Sequence, residues 1–592
     1  MAEKKRQDIE QKYTWKLEDI YPDNAGWEAD FAALEARIPS LEALKETITS
    51  SAETLAEGLK SIYSASHQIE KLYVYARMRR DENNASSVYQ GLFSRAQGLS
   101  VRLSAALSFV DPLLLSLEEG VLRRYMDTCP ALNEYRFMLE NLLRTKKHVL
   151  DEKSERLLSM TGDFAEGAQD IFTMLNNADL RFNSVEHEGK EYPLSHASYI
   201  ELMQNPDREL RKKVYFQFYR EFSEHINTIA ATYATSVKKD IFYSRVRGYG
   251  SALEQALFSD NVPRSVYTGL IDAVHRNLPT MYRYVELRSS MLHINDIEMY
   301  DIYAPLVSEM KQQYTYEQAQ EMVLAGLSTL GADYTDMLKE AFFSRWIDVY
   351  ETPGKTSGAY SWGVYGTHPY VLLNHRGDLD SVFTIAHELG HAMHSYYSDA
   401  AQPYATAGYA IFLAEIASTV NEILLTKHLL RTIQDIKLKK YVLNHYIDQF
   451  RATVLRQTMF AEFEMLTHDM AAGGEPLTVE ALSQAYGKLN KLYYGSTMGA
   501  DETIHLEWAR IPHFYNAFYV YKYATGFSCA SAIVRHLEED PQMKDKYRAL
   551  LSAGGSNYPL EILDLAGIRV EDAVEVCMQE FAKALEEFQA LS

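Results

Sequence analysis

Residues 380–398 read DSVFTIAHELGHAMHSYYS, and no other stretch restricts the fold of this chain so much. Apolar residues recur at helical spacing and Asp378 and Asp380 supply acidic start signals, so the run predicts a helix. On that helix His387 and His391 stand four residues apart and share one face. Two imidazoles so placed can hold one zinc ion, and Glu388 lies beside them as a base for an attacking water. The plainer use of the same residues is a helix with two partly exposed histidines.

A third ligand separates the designs open to such a helix. A third His in an eleven-residue motif would fall at position 397, which is Tyr397. A Glu nineteen residues after the second His would fall at position 410, which is Ala410. Glu415 lies twenty-four residues past His391, inside AIFLAEIASTVNEILL, which predicts a strongly apolar helix. A carboxylate on such a helix is costly to bury unless it is paired or bound to metal. Glu415 is therefore expected to complete the metal site. Glu422, seven residues later on the same face, is expected to orient a histidine from behind. The bland alternative, an exposed surface Glu, suits Glu422 better than Glu415. Glu422 is the first substitute should Glu415 not be a ligand.

The whole chain, 592 residues and 47% hydrophobic, is long enough for a large core and too long for one simple domain. Trp27 to Asn177 is patterned as helix, with Pro39, Pro112 and Pro130 at expected helix ends. Leu180 to Leu194 predicts a small hairpin with Gly189 in its turn. A second β-like block runs from Trp346 to Asn374 through PGKTSG and leads into the HELGH helix. A strand beside a catalytic helix can pair with an extended peptide, or the block is simply a structural sheet. A boundary near residue 195 divides an N-terminal helical domain, 1–195, from a catalytic domain, 196–592. No fixed-period repeat is present.

The net charge of −22 and pI of about 5.3 argue against a nucleic-acid partner, which needs a basic surface. Cys129, Cys529 and Cys577 form no CxxC pair and suit a reducing compartment. The N-terminus, MAEKKRQDIEQKYTW, carries no apolar signal region. No unbroken apolar run of about 18 residues is found, so no membrane association is expected and the cytoplasm is the default. The 42 tyrosines suit a wet, polar interior.

Further motifs carry a family resemblance. HELGHAMH followed by LAEIASTVNE resembles the thimet-oligopeptidase-like (M3) zinc metallopeptidases. KYTWKLEDIYPDNAGWEADF, GKTSGAYSWGVYGTHPYVLLN and RIPHFYNAFYVYKYATG are similar to the oligoendopeptidase F branch, so the resemblance spans nearly the whole chain. It implies a mainly α fold, a large helical shell around a deep catalytic cleft, with the small sheet, expected to be antiparallel, next to the active-site helix. It also implies one zinc ion per chain and cleavage of internal bonds in short, unstructured oligopeptides, with Glu388 as general base and acid. Substrate-contacting residues are implied between Ile511 and Gly526. His513, Tyr515 and Tyr519 are favoured, the two tyrosines being one helical turn apart; Tyr523 is a further candidate and Tyr521 a core ring. His394 also matches the family motif, but three ligands and a water already complete the site. Two rivals remain. A dipeptidyl carboxypeptidase of the angiotensin-converting type shares the HExxH-to-Glu spacing but needs a cationic site for a free carboxylate. A non-catalytic peptide-binding protein would not need the intact Glu388.

Overall fold

The computed structural model describes residues 5–307 and 312–591. Helices dominate, and the strands are two or three residues long. The principal elements in chain order begin with α1 (Asn24–Glu42), α2 (Ala52–Glu82), α3 (Ser87–Leu107), β1 (Val185–His187), β2 (Lys190–Tyr192), α4 (Arg208–Glu224) and α5 (Ile226–Val246). There follow β3 (Ile347–Asp348), β4 (Tyr360–Trp362), β5 (Tyr370–Leu372), α6 (Leu379–Ala401) and α7 (Ile411–Thr432). The last are α8 (Ile436–Gln449), α9 (Arg456–Ala472), α10 (Tyr521–Glu539) and α11 (Val570–Leu591). The chain divides into two compact units.

Unit 1 comprises Met1–Lys147, Lys311–His428 and Ile533–Gly567. Its N-terminal helices start at side-chain caps: Asp23 accepts from the Gly26 amide at 2.9 Å, and Ser51 and Thr54 form a capping box. Trp15, Trp27, Leu72 and Tyr75 pack in one core with Val364, Tyr370 and Leu372, so these helices cover one face of the β3–β5–β4 sheet. That sheet is mixed: β4 runs antiparallel to β5, but β3 pairs parallel with it. Lys355, in the PGKTSG turn, clips it together. Its ammonium donates to the carbonyls of Asp348, Tyr350 and Leu373 and pairs with the Asp348 carboxylate at 2.7 Å.

Two expectations need correction here. Pro39 lies inside the last turn of α1, where it cannot donate to the Glu35 carbonyl, and the helix ends three residues later at Glu42. Ser87–Leu115 forms a helical run in which an 18-residue window has a mean hydropathy of 1.4, long and apolar enough to cross a bilayer. Interspersed Ser, Gly and Gln hide it from a search for unbroken apolar residues. In this fold Leu92, Phe93, Ala96, Leu99 and Leu103 enter the core, while Arg95 and Arg102 pair with Glu28 and Glu35 of α1 at 2.6 and 2.7 Å.

Unit 2 comprises His148–Met310, Leu429–Ala532 and Ile568–Ser592. Its hairpin matches the expected position but pairs only Val185–His187 with Lys190–Tyr192. Glu188 and Gly189, both with positive φ, make the two-residue turn. The core is rich in aromatic rings, with Phe463 against Tyr233, Tyr486 and Phe514. Within it Glu507 accepts from Arg456 at 2.6 Å, Arg510 at 2.8 Å and the Tyr486 hydroxyl. Burial opposes ionisation, but the two arginines outweigh it and bring the Glu507 carboxyl from the usual 4.5 to about 2. Because the folded value lies below the unfolded one, this contribution is present above pH 4.5 and lost as pH falls toward 2. Melting curves of the parent and Glu507→Gln should therefore converge over that window, by on the order of 3 kcal/mol. A stability gap independent of pH would contradict this.

Candidate active site

Helix α6 begins where the sequence places it. The Asp378 carboxylate accepts from the Ser381 amide at 2.8 Å and caps the first turn. Helix α7 crosses α6 at Gly390, the residue between Leu389 and His391. A Cβ at Gly390 would lie 2.5 Å from Ser418 Cα and 2.6 Å from the Ala417 carbonyl oxygen, so only glycine permits this approach. Asn421 secures the crossing. Fully buried on α7, it donates to the Ala386 carbonyl on α6 at 3.0 Å and accepts from the Tyr334 hydroxyl at 3.0 Å. Sequence reasoning missed both residues, although a polar Asn in an apolar helix and a Gly inside HELGH were visible signals. Gly390→Ala should push α7 outward, cost about 1–3 kcal/mol of stability and weaken metal binding. A competition titration with a zinc indicator checks this; parental affinity would remove Gly390 from the design of the site.

The close crossing brings the polar faces together. His387 Nε2 and His391 Nε2 are 3.2 Å apart, and Glu415 Oε2 lies 3.5 and 3.6 Å from them. Zinc bonded at about 2.0–2.1 Å in tetrahedral geometry separates its ligand atoms by about 3.3 Å, so this triangle fits one face of such a site. Ser418 donates to Glu415 Oε2 at 3.2 Å and steadies the carboxylate. His387 Nδ1 meets Glu422 Oε1 at 2.5 Å, which leaves Nε2 to face the other two donors. Burial lowers the proton affinity of His387, but Glu422, Glu388 and Glu415 together raise it to about 9. The expected contrast between the two glutamates is reversed: the Glu422 side chain is 15% exposed and that of Glu415 40%. Glu388 is 7% exposed, and burial pushes its carboxyl above the usual range against the pull of His387 and His391.

His394 is buried and lies outside the His387–His391–Glu415 group. Its ring stacks on Tyr409 at 3.6 Å, and burial, with the His391 charge, lowers it to about 3, so it is neutral.

In unit 2 the candidates from the C-terminal motif separate. His513, Tyr519 and Tyr523 form one ring cluster with centroids 5.5–6.4 Å apart, and His513 is exposed. Tyr515 is not with them. It is buried, stacked on Phe172 at 4.4 Å, and its hydroxyl shares a 2.8 Å hydrogen bond with Thr232. The helical turn expected to align Tyr515 with Tyr519 does not exist, because a 3₁₀ turn ends at Tyr515 and Phe518 adopts φ 61°. Buried Glu464 accepts from the Phe518 amide at 3.0 Å and holds that left-handed residue. Tyr521 is a core ring, as expected.

The profile of peptidase family M3 matches residues 201–580, and that of oligopeptidase F matches residues 114–182. The chain belongs to peptidase family M3. Oligopeptidase PepF of Bacillus subtilis is 41% identical over 99% of this chain and 88% of its own length. The oligoendopeptidase F homolog of Lactococcus lactis subsp. lactis is 39% identical over 99% and 98%. The crystal structure of oligoendopeptidase-F from Enterococcus faecium, 35% identical, superimposes with a TM-score of 0.75 over 96% of this chain and 99% of its own. The mainly helical fold implied by the resemblance is the one observed, and the protein is a metalloendopeptidase.

Proposed function

We propose that this M3 peptidase uses one zinc ion to cut internal bonds of short, unstructured oligopeptides. The observation that carries the reading is the triangle of His387, His391 and Glu415 donor atoms beside the buried Glu388. Two imidazoles and a carboxylate are a donor set suited to catalytic zinc. When bound, zinc polarises the scissile carbonyl and lowers the pKa of a water to about 7. His387, His391 and Glu415 would hold it, and Glu422 fixes the ring of His387. Glu388 takes a proton from the attacking water and returns it to the leaving amine; its raised proton affinity suits both tasks. To His513, Tyr519 and Tyr523 we assign hydrogen bonds to the peptide, including the oxygen on which negative charge develops.

The names of the relatives, oligopeptidase and oligoendopeptidase, support an oligopeptide substrate. So does the sheet order β3–β5–β4, which leaves β4 as an edge strand able to pair with an extended chain. The buried free thiols of Cys129 and Cys529 fit a reducing compartment such as the cytoplasm. The test uses a peptide blocked at both ends and the same segment held in a stable folded domain. Cleavage of an internal bond in the peptide alone, abolished by chelation and restored by zinc, is expected. Equal cleavage of both substrates would refute size selection. Full activity without metal would refute the zinc reading, and resistance of the blocked peptide would favour a carboxypeptidase.

A further inference from the structure

Between α8 and α9 the chain makes a π-helical turn, Phe450–Leu455. On a regular α-helix residues five apart point about 140° away from each other. The i→i+5 bonding of a π turn brings them closer to one face, and such turns are frequent at functional sites. Here it flanks Arg451 and Arg456. The Arg451 guanidinium lies 4.9 Å from the centre of the Tyr303 ring, in a residue only 5% exposed. Its Nε and Nη1 are buried without a hydrogen-bond partner. Among the described residues its one carboxylate within ion-pair distance is Asp448, at 3.8 Å. Asp448 is already engaged by the Tyr284 hydroxyl at 2.5 Å, Asn444 at 3.1 Å and Arg288 at 3.8 Å. Arg456 and Arg510 likewise share one oxygen of Glu507. Four guanidiniums thus share two carboxylates, a buried excess of positive charge that is costly unless an anion joins it. Burial raises the Tyr303 phenol, yet Arg456, Arg451 and Arg510 hold it below its usual value. Burial, and after it the Arg456 charge, lowers the basicity of His513, one of the candidate substrate residues.

We infer that Arg451, Arg456 and Tyr303 form a receptor for a carboxylate of the peptide substrate, a group that a guanidinium binds through paired N–H donors. The inference rests on the peptidase reading above. The carboxylate has two sources, the free C-terminus or an acidic side chain. The site supplies the cationic group for which the sequence offered no sign, and it favours carboxylate-bearing peptides without making a free terminus obligatory.

The test uses three peptides of one sequence: the free acid, the C-terminal amide, and the amide with one residue near its end replaced by Glu. Their binding to the inactive Glu388→Gln protein is measured by calorimetry, and their kcat/KM with the parent. The free acid is expected to bind at least tenfold more tightly than the amide if the terminus is the ligand. The Glu peptide shows that advantage if a side chain is. Adding Arg451→Gln should bring the ratio close to one, and Tyr303→Phe should reduce it about threefold; the second variant serves if the first does not fold. Equal binding of all three peptides overturns the receptor, as does a preference that persists in the folded variants. Discrimination in binding without any cleavage by the parent would instead refute the peptidase reading and leave the receptor standing.

Discussion

Glu388→Gln is expected to lower kcat by about 10³–10⁴-fold while leaving the bound metal in place. The amide has nearly the volume of the carboxyl it replaces, so the tightly packed position, 7% exposed, is not disturbed. His387, His391 and Glu415 are untouched, and the metal content measured by atomic emission should equal that of the parent. What the amide cannot do is accept a proton from water. Both halves of the result are needed: loss of metal would make the variant uninformative about proton transfer, and a kcat above a tenth of the parental value would place the base elsewhere.

Glu415→Ala should have the opposite signature, with activity lost because metal is lost. Alanine leaves only two imidazoles, and affinity should fall by more than the roughly 10–100-fold typical of a group that merely orients a ligand. Glu422→Gln provides that comparison in the same protein, since Glu422 meets His387 Nδ1. The order of the two effects decides the assignment. If Glu422→Gln lost the metal and Glu415→Ala kept it, Glu422 would be the ligand.

The geometry of the candidate site was legible where it depends on one helix. The spacing of His387 and His391 fixes their shared face, with Glu388 beside it, and Asp378 marks the start of α6 locally. Glu415 was singled out by its place in an apolar helix, and it lies beside the two histidines although its side chain is 40% exposed. Features that depend on what lies across the fold were not legible. The exposure of Glu422 relative to Glu415 depends on what packs around α7, and the parallel pairing of β3 with β5 joins segments apart in sequence. Tyr515 and Tyr519 were misaligned because a non-glycine residue with positive φ, Phe518, leaves no mark in the sequence. Arg451 and Arg456 escaped notice for a related reason, since ordinary α-helical spacing sends them to different faces.

The shared core of the N-terminal helices and the sheet sets an order of events during synthesis. Trp15, Trp27, Leu72 and Tyr75 share their core with Val364, Tyr370 and Leu372, made some 270 residues after Leu99. At about 5–20 residues per second, a ribosome delivers those partners roughly 15–50 s later. For that interval α1, α2 and α3 can pack on one another but still present an unfinished aromatic face to the cell. The nascent chain carries that apolar surface until the sheet is made, and His387 and His391 emerge only as that wait ends.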